Sequence, residues 1–258
     1  MRYIHLSSVS STLGLDAADA RAAAAGGAGK RDYVRRIFSE IAPRYDLLNH
    51  VLSLNIDRAW RRRAVAALGW TRDPAGVYLD LCAGTLDVAT LLARQDAFRG
   101  TAIGADFAVP MLRAGRDKSQ GRRVAPLAAD ALELPLASNV IAGAIVAFGV
   151  RNLADLGVGF REVLRVLRPG GRLVVLEFSN PTLAPVRAAY SLYMRHVLPR
   201  VGAAMSGHPT AYQYLPDSVE RFPSGDALQR VMSEAGFDEV RWTPLTFGIA
   251  AIHVGVKR

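Results

Sequence analysis

From Arg31 the chain takes on a helical rhythm of apolar positions. Val34, Ile37, Phe38 and Ile41 recur at the spacing of one helix face, and Pro43 ends that run. A second apolar stripe passes through Leu47, Leu48, Val51 and Leu52. A third carries Trp60, Ala64, Val65 and Leu68 before Gly69 stops it. Beyond about residue 75 the rhythm changes. Short apolar runs of strand length, "GVYLDLC", "GTAIGADF", a short strand and turn in "RRVAPLAADALELP", "VIAGAIVAFGV" and "RLVVLEFS", alternate with helical segments such as "DVATLLARQ" and "LADLGVGFREVLRVLRPGG". Alternation of this kind predicts an α/β domain of the Rossmann-like, doubly wound type, with a mostly parallel sheet covered on both faces. "SGDALQRVMSEAGF" predicts a capped helix, and "DEVRWTPLTF" with "GIAAIHVGVKR" a terminal β pair containing an antiparallel C-terminal strand.

The domain expectation is a mostly disordered lead-in over 1–30, rich in Ala, Gly and Ser, then one domain over 31–258. Within that domain, 31–70 forms a helical cap in front of the sheet and 180–215 a helical insert.

Composition narrows the setting. Half of the 258 residues are hydrophobic, enough for one sizeable core. Cys82 stands alone, so a reducing compartment is expected, and no apolar run approaches the roughly 20 residues of a membrane span. The net charge of +9 is almost all arginine and suits an anionic partner, or simply a compositional bias.

In an open parallel sheet, ligands gather beyond the carboxyl ends of the strands. Those ends carry Asp80 to Thr85, Asp106, Asp130, Phe148 to Asn152, and Glu177 to Ser179. The first is a small-residue loop, "LDLCAGTLD", with one glycine, Gly84, and Leu86 where a second is usual. Asp106 follows about 20 residues later, the spacing at which a carboxylate accepts from the ribose hydroxyls of an adenosine cofactor. Asp130, with the backbone of Ala131 beside it, suits an exocyclic adenine amine. Either aspartate alone could be an ordinary cap or turn residue. Leu86 opens the next helix, and whether it points into the helix–sheet core or at a ligand is left to the structure.

The flanks carry a family resemblance. "FSEIAPRYDLLNHVLSLNIDRAWRRRAV", "LDLCAGTLDVA", "AFGVRNL", "EVLRVLRPGGRLVVLEFS", "YQYLPDSVERFP" and "LTFGIAAIHVGVKR", running from about Tyr33 to Arg258, resemble the ubiquinone/menaquinone C-methyltransferases, enzymes of the class I S-adenosylmethionine-dependent fold. The chain departs from their pattern at Leu86, in place of a glycine, and at Ala147, in place of a serine. The resemblance implies S-adenosyl-L-methionine as co-substrate, over Asp80, Gly84 and Thr85, with ribose on Asp106 and adenine near Asp130 and Ala131; no metal is implied. It implies a prenylated hydroquinone methylated on a ring carbon, with demethylmenaquinol favoured and 2-polyprenyl-6-methoxy-benzoquinol the alternative. A non-catalytic scaffold of the same fold is a further reading, supported only by Leu86 and Ala147.

A ring carbon becomes nucleophilic when the neighbouring hydroxyl gives up its proton, so a base, directly or through water, together with a cation near that oxygen would serve. Arg151 and Asn152 are placed for this polar role, and Tyr45 with Asp46 for closing over the substrate. His253 reads as a structural residue of an apolar strand. A tail that resides in a bilayer implies a peripheral contact with the membrane surface, through Arg58, Arg61, Arg62 and Arg63 and through the insert, at the inner face of a cytoplasmic membrane. A homo-oligomer or a complex of quinone-biosynthesis enzymes stays open. Nucleic acid is not an expected partner, since "AFGVRNL" follows the fourth strand in place of an Asn-Pro-Pro-aromatic motif for flipped bases. A nicotinamide enzyme is disfavoured because the loop lacks a full G-x-G-x-x-G.

Overall fold

The computed structural model describes residues 17–26, 29–46, 53, 55–198, 200 and 209–258. The predicted stripe through Leu47, Leu48, Val51 and Leu52 lies outside these residues.

Seven strands form one sheet: β1 (Val77–Leu81), β2 (Thr101–Asp106), β3 (Val124–Ala128), β4 (Ile141–Ala147), β5 (Leu167–Phe178), β6 (Asp238–Leu245) and β7 (Ala250–Val256), in the order β3-β2-β1-β4-β5-β7-β6. The first five pair in parallel, and β7 runs antiparallel to both β5 and β6. This is the predicted doubly wound sheet, and its order reverses between β1 and β4. Both faces are covered, so central strands read as continuous apolar runs: Leu173 to Leu176 are all fully buried.

The helices are α1 (Ala17–Ala25), α2 (Lys30–Ile41), α3 (Ile56–Leu68), α4 (Asp87–Ala93), α5 (Val109–Ala114), α6 (Arg116–Ser119), α7 (Leu156–Val166), α8 (Ala184–Leu192), α9 (Pro209–Glu220) and α10 (Gly225–Glu234). α3 and α4 pack on one face of the sheet, burying Trp60, Ala64, Val65, Leu68 and Val88 against β1, β4 and β7. α7 and α10 pack on the other through Phe160, Val163, Leu228 and Met232. Ser224 caps α10 by accepting from the amide of Ala227, and Asp155 does the same for α7.

A third apolar cluster joins α1, α2, the turn after α8 and α9, through Ala20, Ala23, Val34, Ile37, Ile41, Met194 and Tyr214. It forms a cap over the carboxyl ends of the strands. Part of the expected lead-in is therefore ordered helix: Ala17–Ala25 lies against α9 with Ala20 fully buried. Alanine has the strongest helix propensity, and its small side chain allows close helix contact, so a stretch without bulky apolar residues still packs.

At the switch point the loops after β1 and β4 touch. A side chain at Gly149 would meet the Cβ of Cys82 at 2.4 Å, so only glycine lets the two loops approach this closely. Gly104 on β2 has the same role toward Leu86, whose Cδ2 would lie 2.3 Å from an added Cβ.

Candidate active site

The loop after β1 reverses through three left-handed residues, Cys82 (φ 55°), Gly84 (φ 52°) and Leu86 (φ 65°). Leu86 is fully buried and packs on Gly104, in the layer between α4 and the sheet. Its side chain belongs to the core.

The Asp106 carboxylate holds the loop from the end of β2. One oxygen accepts from the Gly84 amide at 2.8 Å and the other from the Ala108 amide at 2.8 Å. Burial pushes its pKa up, while these amides pull it down. Each carboxylate oxygen keeps capacity for another donor. Asp106, Asp130, Ala131 and Asn152 line one cleft with Cys82, Phe107 and Leu132. The cleft holds about 30 Å³, because Arg31 on α2 reaches across it to Asp130 at 2.5 Å. Arg31 is largely exposed, so the closure rests on a solvent-screened ion pair. Asp130 also accepts from the Leu132 amide at 2.9 Å.

The other expected ligand-binding residues sit apart from this cleft. Asp80 is buried beneath α4 and accepts from the Ala89 amide at 2.9 Å. Burial pushes its carboxyl up to about 7, against the pull of that amide and of Arg61. Thr85 donates to Asp46 at 2.5 Å, and Lys118 bridges Asp46, Thr85 and Asp87. This network ties the segment after α2 to the loop. Tyr45 stands over Gly84, 3.7 Å from where a Cβ would be, with its ring edge-on to Phe38.

Tyr45 also lines a second, larger cavity of about 330 Å³ beneath the cap. Its wall is mostly apolar, from Ile37 and Phe38 on α2, Trp60 on α3, Val186 and Ala189 on α8 and Leu215 on α9. Phe148 and Phe178, at the ends of β4 and β5, face it with ring centroids 4.7 Å apart. Arg151 lines the same cavity, its guanidinium 5.5 Å from the Phe178 ring centroid. Nη1 meets Glu177 at 2.8 Å and the Phe148 carbonyl at 2.5 Å, while Nε is buried with no acceptor among the described residues. Burial disfavours the charged guanidinium, but Glu177 together with Tyr45 and Tyr214 more than offsets this and the pKa is raised.

Two expectations need correction, and the question left open at Leu86 is answered. Asn152 lines the small cleft rather than the cavity that holds Arg151, because it faces α9, where its amide oxygen accepts from the Tyr214 hydroxyl at 3.0 Å. Arg61 does not belong to the exposed basic face with Arg58, Arg62 and Arg63; it is buried and lines the cavity, paired with Asp57 one helical turn earlier. Leu86 takes the glycine's backbone conformation without entering the ligand side. His253 is structural as expected: buried, bonded to the Gly225 carbonyl at 2.9 Å and stacked on Trp242.

Glu177, Tyr190 and Tyr214 were not singled out as site residues. Glu177 had a signal, an acid inside the apolar run "LVVLEF". Tyr190 and Tyr214 had none beyond their place in the helical insert; burial raises both hydroxyl pKa values.

Known proteins resemble the chain over most of its length. The sequence profile of the ubiE/COQ5 methyltransferase family matches residues 27–257. The chain is 49% identical over 221 residues to a demethylmenaquinone methyltransferase of Thermus thermophilus, covering 85% of this chain and 99% of that protein. It is 44% identical over 232 residues to a ubiquinone/menaquinone biosynthesis C-methyltransferase of a Geobacter species, covering 88% and 97%. Among solved structures, a SAM-dependent methyltransferase of Thermotoga maritima superimposes with a TM-score of 0.62 at 18% identity, over 86% of this chain and 99% of that one, which establishes a shared fold.

Proposed function

The chain belongs to the ubiE/COQ5 methyltransferase family, and from that premise we propose that it transfers a methyl group from S-adenosylmethionine to a ring carbon of a prenylated hydroquinone, demethylmenaquinol in the first instance. The observation that carries this reading is the apolar cavity of about 330 Å³ with Arg151 in its wall, held from behind by buried Glu177, adjoining the loop after β1 through Tyr45. An aromatic ring with an isoprenoid tail fits such a wall, and the pair supplies polarity where oxygens need it. The second ring type, a benzoquinol, stays in view because several relatives carry both quinones in their names.

The residues fit the methyl donor. Asp106 has spare acceptor capacity at the end of β2 for ribose, and Asp130 with the Ala131 backbone lies further along the same cleft for adenine. Gly84 and Thr85 offer backbone to the amino-acid end, with Asp80 holding α4 in place through Ala89. Opening the cleft requires Arg31 to swing away from Asp130. When bound, the donor supplies an electrophilic methyl group on sulfur.

The protein's contribution is alignment and charge. Tyr45 over Gly84 and the cap helices hold the ring between the loop and the cavity floor and exclude water. Arg151, clamped by Glu177, presents positive charge to a quinol oxygen, so that negative charge on it, and on the adjacent carbon, is stabilised. Tail access is through the insert, where Leu183 and Leu192 are exposed by 55% and 62% and Arg187 is also exposed, and past the turn between β6 and β7, where Phe247 is exposed by 71%. These suit a peripheral contact with an anionic bilayer at its cytoplasmic face. No described helix is long and apolar enough to cross a membrane.

Restoring quinone methylation in a deficient bacterial strain, with the quinones identified by mass spectrometry, tests the reading. The expected product carries one added ring methyl on the naphthoquinone. Failure to bind S-adenosylmethionine at millimolar concentration refutes the enzyme reading, and indifference to anionic liposomes at low salt refutes the membrane contact.

A further inference from the structure

The apolar face of α3 is interrupted where it meets the cavity. Asp57, Trp60, Arg61, Ala64, Val65 and Leu68 share one face, and all are buried. Two of them carry charge: Asp57 is 3% exposed and Arg61 9%. Both line the cavity. Arg61 Nε donates to Asp57 across 3.3 Å, and Ser53 donates to the other Asp57 oxygen at 2.8 Å. Among the described residues neither terminal nitrogen of Arg61 meets an acceptor, so four of its five N–H donors are unpaired beside an apolar space. Desolvating a guanidinium for one long contact and a more distant attraction to Asp80 is unfavourable, and an aliphatic residue would pack this helix face more cheaply.

The arrangement mirrors the one at Arg151. Phe148 and Phe178 lie side by side in the wall, and each has an arginine over it: Arg61 is 5.5 Å from the Phe148 centroid and Arg151 is 5.5 Å from that of Phe178. Each arginine is held by one carboxylate, Asp57 or Glu177. Two like-built polar points flanking one aromatic floor match a flat ring that bears two oxygens.

We propose that Asp57 and Arg61 form the recognition site for the second oxygen of the substrate ring, so that the cavity selects dioxygenated over mono-oxygenated aromatic rings. This rests on the hydroquinone reading above and assigns its specificity to named residues. Arg61 donates to the ring oxygen through its terminal nitrogens and Asp57 holds the guanidinium in place; no bond is made or broken at this end of the ring.

Binding is read from quenching of tryptophan fluorescence, since Trp60 lies in the cavity wall. The probes are a short-chain prenylated 1,4-naphthalenediol, kept reduced under anaerobic conditions, and the two naphthols that each keep one of its hydroxyls. The wild-type protein should bind the diol about 10- to 100-fold more tightly than either naphthol, the worth of a hydrogen bond to a charged group. In Arg61→Gln the diol should weaken to the level of one naphthol, whose own affinity stays within about threefold of wild type. Arg61→Lys should recover part of the preference, and Asp57→Asn should lose part of it. Equal weakening of all three probes would show a purely structural pair and overturn the proposal, as would unchanged affinities. If the wild-type protein neither binds nor methylates the diol, the parent reading fails and this one with it, so the wild-type arm separates the two failures.

Discussion

Replacing Leu86 by glycine should weaken the fold and leave methyl-donor affinity almost unchanged. Two terms oppose each other. Leu86 sits at φ 65° and ψ 24°, a left-handed conformation that costs a residue with a Cβ about 1–2 kcal/mol, and glycine removes that cost. Against this, the side chain is fully buried with its Cδ2 seated on Gly104. Truncating a buried leucine to alanine costs about 2–5 kcal/mol through lost burial and the cavity left behind. The difference is a net loss of about 0–4 kcal/mol, and its centre of about 2 kcal/mol lowers the melting temperature of a domain of this size by about 4–8 °C. Gly104→Ala alone should also destabilise, because the new methyl meets Leu86. Combined, the two changes should cost less than their sum, since the alanine methyl enters the space the leucine vacated. Calorimetry gives the melting temperatures and titration with S-adenosylmethionine the affinities. A glycine variant that melts no lower than wild type and binds the donor several-fold more tightly would refute the reasoning, because it would place the leucine against the donor.

Three further outcomes follow from the same geometry. Asp80 is raised by burial from 3.8 to about 7, so between those values the unfolded chain has lost a proton that the folded protein keeps. The corresponding stability is full below about pH 4 and declines by about 1.4 kcal/mol per pH unit until the folded group ionises near 7; Asp80→Asn, which retains an acceptor for Ala89, should flatten denaturation midpoints over that window, and an unchanged pH slope would contradict it. Glu177→Ala leaves the Arg151 charge buried without its partner and should cost about 3–5 kcal/mol by urea denaturation, with Glu177→Gln milder because it still accepts from Arg151. Arg31→Ala removes the exposed arm that closes the adenosine cleft and should tighten S-adenosylmethionine binding by a factor of about 2–5, the worth of a surface ion pair; weaker binding would show that Arg31 itself contacts the donor.

The fold was legible because a sheet covered on both faces writes itself as short apolar runs between helical stripes, and those runs became β1 to β5. The positions of Asp106 and Asp130 followed from the strand ends, and the structure brings both to one cleft. What escaped had a physical reason in each case. The Ala17–Ala25 helix offers no bulky apolar stripe; its burial comes from contact with α9, about 190 residues away along the chain, which local pattern does not encode. Leu86 keeps the reversal that a glycine would make, because Gly104 on the neighbouring strand gives up its own side chain; the compensating pair is 18 residues apart and visible only once β2 lies beside the loop.

Arg61 is the more instructive case, because its signal was present and was outweighed. Grouped by charge it joins Arg58, Arg62 and Arg63 on a basic face. Grouped by helical period it falls between Trp60 and Ala64 on the buried stripe, with Asp57 one turn before it. Period decides which way a side chain faces, whereas composition says only what it carries, so the period had to prevail. The same holds for Glu177, an acid in the apolar run of β5 that ends 1% exposed against Arg151. In both places a charge breaks the hydrophobic pattern of its own element; Arg61 lies in the cavity wall itself, and Glu177 lies behind it, holding Arg151 there. Burying such charges is unfavourable and contributes little to the fold itself, so positions where a charge violates the regular pattern of its element mark the chemistry more reliably than the overall basic charge does.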